Sequence, residues 1–193
     1  MLDFFRGFAP KRFALGAIES PEDLRRVSAA SFQKEEELPD YFEFDLNDPR
    51  NQFDKPKCVG SSIRKVAEVY NKLNTGIFTP LSDDDLYDSC KKIDGIPEVA
   101  GTYPFIGAKL ACEQGIATQE AYESNDFRKV EESRKNNKLK GYAFVGKDYQ
   151  SVCQAIYKNK VATVSFVIDT NWFIGIIARV LKVLGRHYVI LNV

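Results

Sequence analysis

Histidine, tryptophan and methionine each occur once in the 193 residues, and net charge is missing altogether, since 27 lysines and arginines balance 27 aspartates and glutamates. A balanced chain has no overall field to draw in nucleic acid or an anionic membrane, so neither is expected as a partner. One histidine and no Cys-x-x-Cys pair leave no ligand set for structural zinc, and no cofactor is expected. Long apolar runs are also lacking. The longest, Trp172 to Leu181, is too short to span a membrane and contains Arg179. The opening MLDFFRGFAPKRFALG scatters Asp3, Arg6, Lys11 and Arg12 where a secretory signal would keep a clean apolar stretch, so a cytoplasmic location is expected. The four cysteines (Cys58, Cys90, Cys112, Cys153) have no tight spacing. A chain this long can bury a core without staples, and free thiols are expected.

What is present is an ordinary globular composition, 44% apolar and 28% charged, with room for one domain or two small lobes. Residues 1–19 read as an arm without period, followed by a short helix opened by Ser20-Pro21-Glu22-Asp23 and fading near Ser28. Residues 33–57 read as extended, with Tyr41, Phe42, Phe44 and Leu46 forming a short strand or an aromatic anchor. From Cys58 to Leu73 the period turns helical. Val59, Ile63, Val66, Ala67, Tyr70 and Leu73 share one face, and Lys65 and Glu68 fall on the other. Ser82-Asp83-Asp84-Asp85 caps a further helix reaching about Ile93, and another follows Gly101-Thr102 and stops at Gly115. The charged stretch 123–140 reads as a solvated connector. After Gly141 the pattern predicts a strand over Tyr142–Val145, a helix over Asp148–Asn159, and β-rich runs at Val161–Ile168, Phe173–Leu181 and His187–Val193. Helices first and strands last predict an α+β chain with two unlike lobes.

Two residues carry the candidate chemistry. Cys58 opens a helix after an irregular loop. Backbone N–H groups and the helix dipole there favour a thiolate and should lower the thiol's pKa. Alone, Cys58 reads better as a small, inert buried residue at a helix start. His187, the sole histidine, sits between the Gly185 turn and a β-rich run, where a general base can be held. It lies 129 residues after Cys58, close to the roughly 130–150 that separate nucleophile and base in papain-type enzymes. Gln52, six residues before Cys58, could bring its amide to an oxyanion forming beside the sulfur.

On these residues the chain resembles the papain-like cysteine peptidases. Asn51-Gln52 followed by five residues and Cys58 is similar to that family's active-site segment, where a glutamine completes the oxyanion hole. Pro56-Lys57-Cys58-Val59-Gly60-Ser61 resembles the version in compact bacterial and phage-encoded relatives. So do Leu81-Ser82 to Leu86-Tyr87, Lys92 to Pro97, and Gly101-Thr102-Tyr103. Gly185-Arg186-His187-Tyr188-Val189 stands where the family has Gly-x-His-Ala-Val. The resemblance covers about residues 38–193. It implies a papain-like two-lobe fold: an arm and short helix at 1–37, a helical first lobe at 38–122, and an antiparallel β second lobe at 141–193. It also implies Cys58 as nucleophile, His187 as base, Gln52 as oxyanion donor, and a peptide or protein substrate.

The pattern departs from the family at its end. Papain-like enzymes carry an orienting asparagine well after the histidine, but only six residues follow His187 here. Asn192 falls on the opposite face of a strand and does not take that role. The second lobe thus reads as truncated. The chain would be a fragment, have its sheet completed by a partner chain, or be a degenerate relative. The alternative function is a catalytically weak or silent papain-fold module of a larger assembly, such as a virion component, docked through Phe4, Phe5, Phe8 and Phe13. Equally, the arm would be a pro-segment packing on its own domain. Transglutaminase-like acyl transfer uses the same cysteine and histidine but fits the Gln52 spacing and helix order less well.

Overall fold

The computed structural model describes residues 16–21, 27–31, 36–43, 52 and 55–165. The helical periods of the sequence become helices at nearly the expected places. α1 runs Cys58–Thr75, α2 Asp83–Lys91, α3 Pro104–Glu113, α4 Gln119–Glu123, α5 Phe127–Asn136 and α6 Tyr149–Asn159. Local chemistry sets their starts. The Ser82 hydroxyl accepts from the Asp85 N–H at the head of α2, and three aspartates in that first turn complement the helix dipole. Thr118, Asp126 and Asp148 cap α4, α5 and α6 in the same manner.

The core lies where α1, α2 and α3 meet. Val59, Ile63 and Ala67 of α1 pack on Leu86 and Cys90 of α2 and on Leu110 and Ala111 of α3, with Leu81 and Ile116 closing the cluster. Gly107 lets α3 approach α1 closely, because a Cβ there would sit 2.6 Å from Ile63 Cδ1 and 2.9 Å from Val59 Cγ1. All four cysteines are free thiols, as expected.

Three expectations are corrected. The first is the fold class. Among the described residues there are six helices and no strand, so the antiparallel β second lobe is not borne out. Tyr142–Val145 forms no strand. Its one bridge is made by Phe144 with Ser28 of the N-terminal segment, too short a partnership for a ladder. Residues 161–165 have no regular structure, and the apolar runs beyond 165 lie outside the described residues. The second correction concerns α1. Lys65 and Glu68 do not face water, being 2% and 0% exposed. They sit inside because they neutralise each other. Glu68 takes Arg64 Nη1 at 2.8 Å and Lys65 Nζ at 3.1 Å, and also accepts the Leu81 N–H at 3.0 Å. The third concerns the 123–140 connector, which contains helix α5. From it Arg134 reaches a fully buried carboxylate, Asp85, which also accepts the Ala117 N–H at 2.8 Å. The short helix expected after Ser20 falls mostly outside the described residues. Ala29–Ser31 forms one 3-10 turn.

Candidate active site

Cys58 is the first residue of α1, half-buried where the N-termini of α1 and α2 converge. Its cap residue, Lys57, offers no side-chain acceptor to the first turn. The backbone N–H groups of Gly16, Val59 and Cys58 itself bear on the sulfur and favour its anion. Burial acts the other way and is stronger, so the thiol is pushed above its ordinary value. The expectation that the helix start alone lowers this pKa is therefore corrected: desolvation exceeds the pull of the N–H groups.

Buried salt links fix the loop that delivers Cys58. Lys57 Nζ lies 3.0 Å from Asp83 and 2.9 Å from Asp84. Asp83 accepts the Ser61 hydroxyl at 2.8 Å. Burial raises the Asp83 carboxyl, but the bonds from Ser61 and Lys57 and the nearby charges of Lys57 and Arg64 outweigh it, leaving the group below the usual carboxylate range. The first turn of α1 also lies hard against α2, since a Cβ on Gly60 would come within 2.7 Å of the Asp83 carbonyl oxygen. Gln52 is buried, and its carbonyl accepts the Lys55 N–H at 3.2 Å. Asn51 and His187 lie outside the described residues.

The N-terminal segment occupies the space beside the cysteine. Residues 16–18 run parallel to the Gly101–Thr102 edge. Thr102 N–H donates to the Gly16 carbonyl at 2.8 Å, and Ile18 N–H donates to the Thr102 carbonyl at 3.0 Å. Gly16 is pressed so closely on the loop before Cys58 that a Cβ would lie 2.1 Å from the Pro56 carbonyl oxygen. Ser20 then accepts the Phe105 N–H at the head of α3. Further along, Ala29 and Val27 exchange backbone bonds with Phe144 at 2.9 Å. Gln154 of α6 grips both the N–H and the carbonyl of Glu36, and Phe42 packs edge-on against Tyr157, with Lys160 over both rings. Of the two forms expected for residues 41–46, Phe42 takes that of an aromatic anchor.

Sequence reasoning did not single out Lys57, Asp83 or Gly16. The signal for the first two is present in the sequence: the acidic run 83–85 caps a helix and also offers charges that the lysines at 55 and 57 can balance. Gly16 had no such signal, because only the fold brings it to Pro56.

No family model matches the chain, and no curated protein matches it. Among solved structures it is similar to xylellain, a cysteine protease from Xylella fastidiosa, with a TM-score of 0.60 and 16% identity. The match covers 74% of this chain and 62% of that one, so the chain spans less than two thirds of xylellain. At this identity the likeness shows a shared fold and nothing of the chemistry.

Proposed function

We propose that the protein is a papain-like cysteine peptidase in which Cys58 is the nucleophile, His187 the general base and Gln52 a donor to the oxyanion. One observation carries the reading. A half-buried thiol opens an 18-residue helix, faced by backbone N–H groups, in a fold shared with a cysteine protease. The raised Cys58 pKa gives the histidine its task. Without an imidazolium beside it, the sulfur stays a thiol near neutral pH; with one, it becomes a thiolate held as an ion pair.

The sulfur attacks a peptide carbonyl carbon. The Cys58 N–H and the Gln52 amide hold the resulting oxyanion, and loss of one such donor typically costs about 10²–10³ in rate. The C–N bond breaks as His187 gives its proton to the leaving amine. Water then hydrolyses the thioester, with His187 taking the water's proton and returning one to sulfur. The segment at 16–18 sits where an extended substrate would lie, so this state is latent.

A peptidyl electrophile tests the assignment. It should modify Cys58 in chain freed of residues 1–20, and His187→Ala should slow modification about 10²-fold or more. Equal rates in the two proteins would remove His187 from the mechanism. A second reading, a silent papain-fold interaction module, is favoured by the covered cysteine. It predicts no peptide hydrolysis even after the arm is removed.

A further inference from the structure

Lys91, at the end of α2, has no part in the chemistry just described. Its ammonium is surrounded by oxygens. Nζ lies 2.7 Å from Asp94 Oδ2, 2.8 Å from the Ile96 carbonyl, 3.0 Å from the Val99 carbonyl and 3.1 Å from the Gly101 carbonyl. One carboxylate and three carbonyls converging on a point form the kind of all-oxygen shell that otherwise receives a hard metal cation. The Asp94 side chain is fully buried, and it also accepts the Ile96 N–H at 3.0 Å.

Besides this shell, the loop that supplies these oxygens has the Asp94 N–H on the Cys90 carbonyl at 2.9 Å and the Val99 N–H on the Ile96 carbonyl at 3.0 Å. Residues 97–100 are exposed, Val99 is about half exposed, only Ile96 among the loop's apolar residues is partly buried, and no helix or strand runs through 94–101. Apolar burial therefore does not set its shape. The polar shell does, helped by the Gly101 N–H, which donates to Tyr87 Oη at 3.2 Å. Gly101 is held through both its N–H and its carbonyl. The next residue, Thr102, makes the two backbone bonds to Gly16 and Ile18 beside Cys58.

We propose that Lys91 is a positioning residue, a built-in cation that fixes the 94–101 loop and thereby the Thr102 edge that grips extended backbone next to Cys58. Without the ammonium, four oxygens would face one another across a partly buried space, and mutual repulsion would spread the loop. The N–H donors matter as well as the charge, because three N–H groups are shared as directed bonds among the carboxylate and the three carbonyls. The functional weight of this edge rests on the peptidase reading; the role of Lys91 in setting it does not.

The test is amide hydrogen exchange at Ile18 and Thr102 in the full chain, which requires no turnover. In Lys91→Ala both amides should exchange at least about tenfold faster, while α1 amides keep their protection. Propylammonium, the fragment the substitution removes, should restore protection. Tetramethylammonium, with the same charge and no N–H, should not. Unchanged exchange at Thr102, or equal rescue by both ions, would overturn the proposal. Should the alanine variant fold only when propylammonium is present, the proposal is supported. Asp94→Asn, which keeps the shape and removes the one formal charge of the shell, should also speed exchange at Thr102, and unchanged exchange there would overturn it too. If the exchange results hold and no hydrolysis of any peptide is found, the peptidase reading fails and the Lys91 assignment stands.

Discussion

Burial and backbone donors pull the Cys58 thiol in opposite directions, and burial is the larger effect. The sign has a consequence for reactivity. In His187→Ala, alkylation by iodoacetamide should rise with pH through an inflection above the ordinary thiol value of 9.0. In the unaltered protein an imidazolium partner should add an earlier limb below neutral pH. Coincident profiles would show that the two side chains do not interact. A second residue-scale expectation concerns Glu68. Truncating it to alanine strands Arg64 and Lys65 in the core, and breaking such a buried cluster costs about 3–5 kcal/mol. Urea unfolding should show that loss, and a change under about 1 kcal/mol would mean that the site relaxes or admits water. This cluster also marks a limit of sequence reading. Period and hydropathy assign Lys65 and Glu68 to solvent, because neither rule registers that two opposite charges four or fewer residues apart can go inside together. The helix opening at Cys58 was legible by contrast, through the change of period at residue 58.

Helix starts were legible because capping is local. Ser82 and Asp148 announced α2 and α6 within a residue or two, and the i, i+3, i+4 pattern gave α1. α5 was missed because its exposed face swamps the pattern: every residue from 123 to 129 is exposed, and Arg134, which ties it to Asp85, is charged itself. The β-rich reading of the later chain failed for the opposite reason. Strand propensity at Tyr142–Val145 is real, but a strand needs a neighbour of matching length, and Phe144 meets only a short piece of backbone around Ser28. The tight fit between α1 and α2 yields a prediction on this scale. Gly60→Ala places a methyl 2.7 Å from the Asp83 carbonyl, where backbone rather than a flexible side chain must give way. Overpacking of this kind costs about 1–3 kcal/mol. Denaturant unfolding should register it, and Lys57 should lose its close partner at the head of α2. A neutral result would mean that the two helix ends slide apart freely.

Across the whole molecule, one N-terminal path links the parts. It lies on the cysteine loop at 16–18, meets α3 through Ser20, joins Phe144, and ends on α6 through Glu36 and Phe42. The arm's two candidate roles are open in the sequence; Phe4, Phe5, Phe8 and Phe13 lie outside the described residues, and Gly16 to Ser20 lie against the domain. Gly16 is the sensitive point. Gly16→Ala drives a methyl into the Pro56 carbonyl 2.1 Å away, so the segment should lift and Cys58 should be alkylated several-fold faster, with the helical core equally stable. An unchanged alkylation rate, followed by mass spectrometry of the Cys58 peptide, would show that 16–18 does not shield the sulfur. Because cover and cysteine belong to one polypeptide, occlusion follows first-order kinetics. Diluting the protein a thousandfold leaves the covered fraction unchanged, whereas the same segment supplied as a separate peptide would have to match an effective concentration in the roughly millimolar range. Severing the chain between residues 20 and 27 would therefore turn a permanent occupant into one that washes away.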